Sequence, residues 1–259
     1  MYLPQLLKRA EAGKKLVALT CYDASFASLL TEAGVDILLV GDSLGMAVQG
    51  HRTTLPVSVE HMVYHTEAVR RGAPDEFIMT DLPFGGYQAS PEQAFQNAAK
   101  LLASGANMVK LEGGAIMVET VAFLTQRGIP VCAHLGLLPQ SVNLTGYRAQ
   151  AKDDQAARQL VQDAAALEAA GASLIVLESI PTQLAAEVSQ RLRIATIGIG
   201  AGVDCDGQVL VLNDLLGLTE KPPRFARNFM LEATGIRDAV RGYVTAVRNA
   251  EFPGPEHGF

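Results

Sequence analysis

Short runs of Val, Ile, Leu and Met recur along the chain at Leu16–Thr20, Asp36–Val40, Phe77–Asp81, Met108–Glu112, Val131–His134, Leu174–Glu178, Ala195–Ile199 and Val209–Leu212. They are apolar at successive positions rather than at alternate ones, the pattern of parallel strands covered on both faces. Between them lie stretches with helical periodicity, among them Ser58–Arg71, Pro91–Ser104, Asp153–Ala170 and Pro181–Leu192. Ser90-Pro91-Glu92 reads as an N-cap followed by proline at the first helical position, and Gly34, Gly105 and Gly171 stand where helices should end. Eight strands alternating with helices predict an α/β protein built as a closed (β/α)8 barrel. An open doubly wound sheet fits less well, because there only one or two loops carry a ligand site.

Six ionisable side chains stand at or just past the ends of five successive apolar runs: Asp42 in LLVGDS, Asp81 in FIMTD, Lys110 and Glu112 in NMVKLE, His134 in VCAH and Glu178 in LIVLE. Placing a charge there gives up burial at the edge of the core, and five such runs in a row describe strand ends converging on one polar site. Asp42, Asp81 and Glu112 are hard oxygen donors of the kind Mg²⁺ takes, and like charges gathered without a cation are costly. A 2-oxo acid would complete such a site through its carboxylate and carbonyl oxygens, and the metal would stabilise an enolate. The other reading of each acid alone is a helix cap or a partner for Arg or Lys. Lys110 and Glu112 are two apart on a strand and share a face. There the lysine suits a substrate carboxylate, an internal ion pair being the alternative. A carboxylate embedded in the SLIVLE run should have a raised proton affinity, so Glu178 suits a base that removes a proton from carbon, or else an acceptor behind the site. His134 is a candidate proton relay or carbonyl partner, and equally a satisfied core histidine. His61 and His65 have a helical metal-binding spacing, but no Glu follows His61, and they are expected at the surface or an interface. The glycines of Thr196–Gly202, TIGIGAG, serve either close packing at the rim or an anion.

Composition narrows the picture. With 259 residues, 49% apolar and 19% charged, the chain has the makeup of a globular enzyme read as one domain over residues 1–259, with a short N-terminal extension. The tail EFPGPEHGF, about 251–259, is rich in Pro and Gly and is expected to dock loosely or fray. A net charge of −6 without a large basic cluster argues against nucleic acid, and the apolar stretches are too short for a membrane. MYLPQLLKRAEAGKK lacks the pattern of a secretory signal, and three widely spaced cysteines suit a reducing cytoplasm.

The segments YDASFA, LLVGDSLGM, QGHRTTLPVS, MTDLPFGGYQ, MVKLEGG, IPVCAHLGLLPQSV and TIGIGAGVDCDGQVLVLNDLLGL closely resemble the ketopantoate hydroxymethyltransferase (3-methyl-2-oxobutanoate hydroxymethyltransferase) family, in unbroken order from about Tyr22 to the tail. The resemblance implies a TIM barrel of the phosphoenolpyruvate/pyruvate type, dependence on Mg²⁺, a cytoplasmic location and a homo-oligomer, typically a decamer. It implies transfer of a hydroxymethyl unit from 5,10-methylenetetrahydrofolate to 2-oxoisovalerate, giving 2-dehydropantoate (ketopantoate) in pantothenate biosynthesis. Asp42 and Asp81 match the family's metal-binding pair, and Glu112 completes the metal environment directly or through water. Ser43 and Lys110 match residues that hold the keto acid, with Asp42 and Asp81 also on the substrate side. Glu178 matches the proton acceptor, and His134 lies within the site.

Three stretches depart from the family pattern. Leu144–Lys152 reads LTGYRAQAK where GGY-x-VQGK is usual, LESIP replaces LE-C-VP, and Asn213 replaces a frequent histidine. The first bears on folate affinity. Two rival readings remain open to the bare constellation: another Mg²⁺-dependent 2-oxo acid lyase or mutase barrel, and a non-catalytic barrel that binds a keto acid.

Overall fold

The computed structural model describes residues 1–259. Eight parallel strands form a closed barrel in sequence order: β1 (Leu16–Thr20), β2 (Ile37–Val40), β3 (Phe77–Asp81), β4 (Met108–Glu112), β5 (Val131–Gly136), β6 (Leu174–Glu178), β7 (Ala195–Ile199) and β8 (Gly207–Leu210). Closure comes from β8 pairing with β1, with Val17 opposite Gln208 and Ala18 opposite Val209. Almost every strand residue is buried, as runs covered by helices outside and by packed side chains inside require. The strands supply much of a continuous core of 70 apolar residues.

The connecting helices show their apolar stripe to this ring. The helix Val59–Gly72 buries Met62, Thr66 and Val69, and the helix Asp154–Ala169 buries Leu160, Ala164 and Leu167. Ser58, Ser90 and Asp153 accept backbone N–H bonds at the starts of their helices, which fixes where each begins. His61 is exposed, with Nδ1 accepting from the Ser58 amide, whereas His65 is half-buried and its Nδ1 lies 2.7 Å from the Tyr22 carbonyl, tying this helix to the segment after β1. At the N-terminal side of the barrel Asp36 accepts from the Val17 amide at 2.8 Å and pairs with Arg9 at 2.5 Å and Arg248 at 2.6 Å. One buried carboxylate thereby holds the first and last long helices to the barrel.

Two expectations need correction. The eighth strand begins at Gly207, two residues before the apolar run, because Gln208 is buried with its side chain bonded to the Gly202 carbonyl, while the Leu212 amide turns to the Thr20 hydroxyl and starts a helix. The tail after Ala250 does not fray. Phe252 is 3% exposed and its ring meets Phe229 and Tyr243 edge-on with centroids 5.5 and 5.8 Å away, and the Phe259 carbonyl accepts from the Thr182 amide at 3.0 Å. Proline and glycine shape the path of this segment, but an aromatic anchor decides that it docks. Phe252→Ala should cost about 3–5 kcal/mol of stability, read as a lower urea midpoint at unchanged slope.

Candidate active site

All the side chains singled out at strand ends face one cavity of about 860 Å³ at the C-terminal end of the barrel, the end where βα-loops gather in this architecture. Asp42 and Ser43 follow β2, Asp81 ends β3, Lys110 and Glu112 lie on β4, His134 on β5, and Glu178 ends β6. Gly41 makes the approach possible: a Cβ there would stand 2.9 Å from Ser43 Oγ and 3.6 Å from Asp81 Oδ2. Ser43 Oγ lies 2.9 Å from the Tyr22 hydroxyl, which holds it at the cavity edge.

At the floor a buried lysine is surrounded by acids. Lys110 Nζ lies 3.0 Å from Asp81 Oδ1, 3.9 Å from Glu112 Oε1 and 3.4 Å from His134 Nδ1. Burial disfavours its charge, but the carboxylates of Asp81, Glu112 and Asp42 outweigh that and hold its pKa above the ordinary lysine value. A lysine kept charged is a counter-ion and not an amine nucleophile. His134 spans two glutamates, with Nδ1 3.6 Å from Glu112 and Nε2 3.2 Å from Glu178, the latter a charge contact without hydrogen-bond alignment. Burial and Lys110 work against its charge, yet the two glutamates push its pKa up to about 9, which favours the protonated ring. Glu178 is not embedded in the apolar run as its sequence setting implied. Its side chain is 12% exposed and turns to the cavity against His134.

The acids divide into two groups. Asp42 and Asp81 are adjacent, with Asp81 Oδ2 accepting from the Asp42 amide at 3.0 Å and Asp81 Oδ1 facing Lys110. Burial, then the charges of Asp81 and Glu112, raise the Asp42 pKa well above the carboxylate norm, and burial raises that of Asp81. Two buried carboxylates side by side that resist ionisation together fit a hard divalent cation whose other positions are water and substrate oxygens. Glu112 is engaged elsewhere. Burial works against its charge, but His134, Lys110 and the Gln140 amide, which donates to Oε2 at 3.0 Å, hold its pKa below the norm.

Two neutral residues at the centre of this arrangement carried no signal in the pattern of charges. Gln140 Nε2 donates to Asp42 Oδ2 and to the Leu82 carbonyl, both at 2.9 Å, and its Oε1 accepts from the Tyr87 hydroxyl at 2.7 Å and Gln88 Nε2 at 3.1 Å. Tyr87 also accepts from the Glu112 amide at 3.0 Å. Gln140 thus touches both acids, its side chain at Asp42 and its backbone amide at Glu112, and Tyr87 ties it to the β4 backbone. The glycine-rich segment after β7 has its reason in packing: Gly200 sits at φ 60°, and a Cβ there would stand 2.8 Å from Phe225 and 3.1 Å from Phe259.

Among solved structures, the chain resembles a phosphonopyruvate hydrolase in complex with oxalate and Mg²⁺ at TM-score 0.65 and 14% identity, each chain covered over 84%. It also resembles 2,3-dimethylmalate lyase, a PEP mutase/isocitrate lyase superfamily member, at TM-score 0.61 and 17% identity, covering 83% of this chain and 80% of that one. The likeness is one of fold, a closed (β/α)8 TIM barrel. A family model described as ketopantoate hydroxymethyltransferase matches residues 1–255. Proteins named 3-methyl-2-oxobutanoate hydroxymethyltransferase are 60% identical in Nitrosospira multiformis (97% of each chain) and 60% identical in Methylobacillus flagellatus (all of each). One from Aromatoleum aromaticum is 63% identical over 96% of this chain and 93% of its own. The chain belongs to the ketopantoate hydroxymethyltransferase family.

The Gln140–Tyr87 pair yields a prediction. Tyr87→Phe removes the acceptor of the Glu112 amide and the short bond to Gln140, and should cost about 1–3 kcal/mol in chemical denaturation.

Proposed function

We propose that the protein transfers a hydroxymethyl group from 5,10-methylenetetrahydrofolate to 2-oxoisovalerate, giving 2-dehydropantoate for pantothenate synthesis. The observation that carries this is the file of Glu178, His134, Lys110 and the Asp42–Asp81 pair on successive strand ends, facing one cavity in a chain of this family. Asp42 and Asp81 would hold Mg²⁺, and Glu112 would complete its surroundings directly or through water. When bound, the metal supplies Lewis-acid polarisation of the keto oxygen.

The chain's own groups do the rest. Lys110 and Ser43 take the keto acid's carboxylate, the lysine because its charge is held by three acids and remains available at the floor. Glu178, facing the cavity, removes the C3 proton. His134 as imidazolium keeps positive charge beside Glu178 Oε2 and orients the carboxylate. One water cleaves the two C–N bonds of the folate's methylene carbon, its protons going to the two nitrogens, and releases that carbon as a formaldehyde equivalent. The carbanion carbon adds to it, and the new alkoxide takes the proton from Glu178. With uptake of one water the balance is methylenetetrahydrofolate plus keto acid to tetrahydrofolate plus ketopantoate.

The same reading makes the chain one folding unit over residues 1–259 that works in the cytoplasm as a homo-oligomer, a decamer in the family pattern, on small molecules rather than nucleic acid or membrane. No helix is long and apolar enough to cross a membrane.

Steady-state formation of ketopantoate tests the assignment. Glu178→Gln should retain Mg²⁺ and keto-acid binding by calorimetry while turnover falls at least about 100-fold, the scale of a positioned general base. Asp81→Ala should instead abolish the Mg²⁺-dependent part of keto-acid binding. Near-wild-type turnover in the glutamine variant would remove Glu178 from the role of base.

A further inference from the structure

The two carboxylates assigned to the cation are not held alike. Asp81 is fixed through both oxygens, Oδ2 accepting from the Asp42 amide at 3.0 Å and Oδ1 lying 3.0 Å from Lys110 Nζ. Asp42 is as deeply buried, yet its side chain forms no ion pair. Its carboxylate accepts a single hydrogen bond, from Gln140 Nε2 to Oδ2 at 2.9 Å. Without that bond no polar contact within the protein sets the rotation of the Asp42 carboxylate.

The surroundings of Gln140 leave its amide one orientation. The residue is 5% exposed and lies in the short 3₁₀ turn Pro139–Ser141 that follows β5. Its Oε1 is taken by the Tyr87 hydroxyl at 2.7 Å and by Gln88 Nε2 at 3.1 Å. Its Nε2 faces the Leu82 carbonyl at 2.9 Å, which can only accept, so the second amide proton is directed at Asp42. The turn itself is placed without this side chain. The Gln140 amide donates to Glu112 Oε2 at 3.0 Å, the Leu137 amide to the Glu178 carbonyl at 2.9 Å, and the Gln150 amide to the Ser179 carbonyl at 2.8 Å. A side-chain substitution at Gln140 therefore releases Asp42 and leaves the backbone of the segment tied to Glu112 and to the end of β6.

We infer that Gln140 is a positioning residue of the cation site: it sets the Asp42 carboxylate beside Asp81 and thereby determines how tightly a divalent cation binds. This rests on the Asp42–Asp81 cation site proposed above. A carboxylate oriented before the cation arrives gives up less freedom on binding, and hydrogen-bond partners behind metal ligands carry about 10–100-fold of metal affinity.

Mn²⁺, a hard divalent cation that takes the same oxygen donors, reports the site by water-proton relaxation without keto acid or folate. The part of the signal lost in Asp81→Ala belongs to this site. Gln140→Met keeps the side-chain volume and removes both donors, and should weaken Mn²⁺ binding about 10–100-fold. Gln140→Asn, polar but one methylene short of Asp42, carries the same expectation should the methionine variant not fold. Tyr87→Phe removes a hydroxyl from the same cluster, keeps the Gln140–Asp42 bond, and should lower stability with a much smaller change in Mn²⁺ affinity. In steady state, the Mg²⁺ concentration for half-maximal turnover should rise in the Gln140 variants by the factor seen with Mn²⁺. Turnover at saturating Mg²⁺ should fall by less. Unchanged Mn²⁺ affinity in the Gln140 variants, or an equal loss in Tyr87→Phe, overturns the assignment. If the wild type gives no Mn²⁺ signal that Asp81→Ala removes, the cation site itself fails and the positioning role with it.

Discussion

Lys110 is buried at 5% exposure within reach of three carboxylates and an imidazole, and the polar floor is organised around its charge. A buried ammonium is tolerated only where opposite charge surrounds it, and here that charge comes from neighbouring strands. Asp81 and Lys110 face each other in the β3–β4 register, and Glu112 faces His134 in the β4–β5 register. The parallel barrel thus builds the ion cluster directly, since adjacent strands in register bring their end residues side by side. Charge then propagates outward. Lys110 offsets part of the cost of ionising Asp81 and Glu112 in the interior, Glu112 with Glu178 favours the charged form of His134, and His134 faces the carboxylate assigned to take the proton.

Orientation is supplied by uncharged groups. Gln140 uses all its side-chain hydrogen-bonding groups, and its donors are directed at Asp42 and a backbone carbonyl because Tyr87 and Gln88 occupy its acceptor. This leaves the Asp42–Asp81 pair facing the cavity while Glu112 is turned toward Lys110 and His134. A preorganised floor of this kind loses little to rearrangement when substrate charge develops.

The strands were legible because burial on both faces leaves continuous apolar runs, and the charged ends of β2 to β6 were legible because they interrupt those runs. What escaped the pattern were contacts set by tertiary packing. Gln208 is polar yet inside, so β8 began earlier than its apolar run. Gln140 and Tyr87 carry no charge to draw notice, although both lie within motifs that resemble the family. The tail reads as a loop by composition, yet Phe252 is an aromatic anchor and Phe259 helps wall the cavity. The glycines after β7 admitted two readings, and only the positions of Phe225 and Phe259 decide for packing at Gly200.

The central claim is that this floor makes a carbanion at C3 of a keto acid. Proton NMR of 2-oxoisovalerate in D₂O with the protein and Mg²⁺, without folate, tests it most directly. Loss of the C3–H signal that depends on both protein and Mg²⁺ is the predicted result. Retention of that signal, with the keto acid shown to be bound, would contradict it.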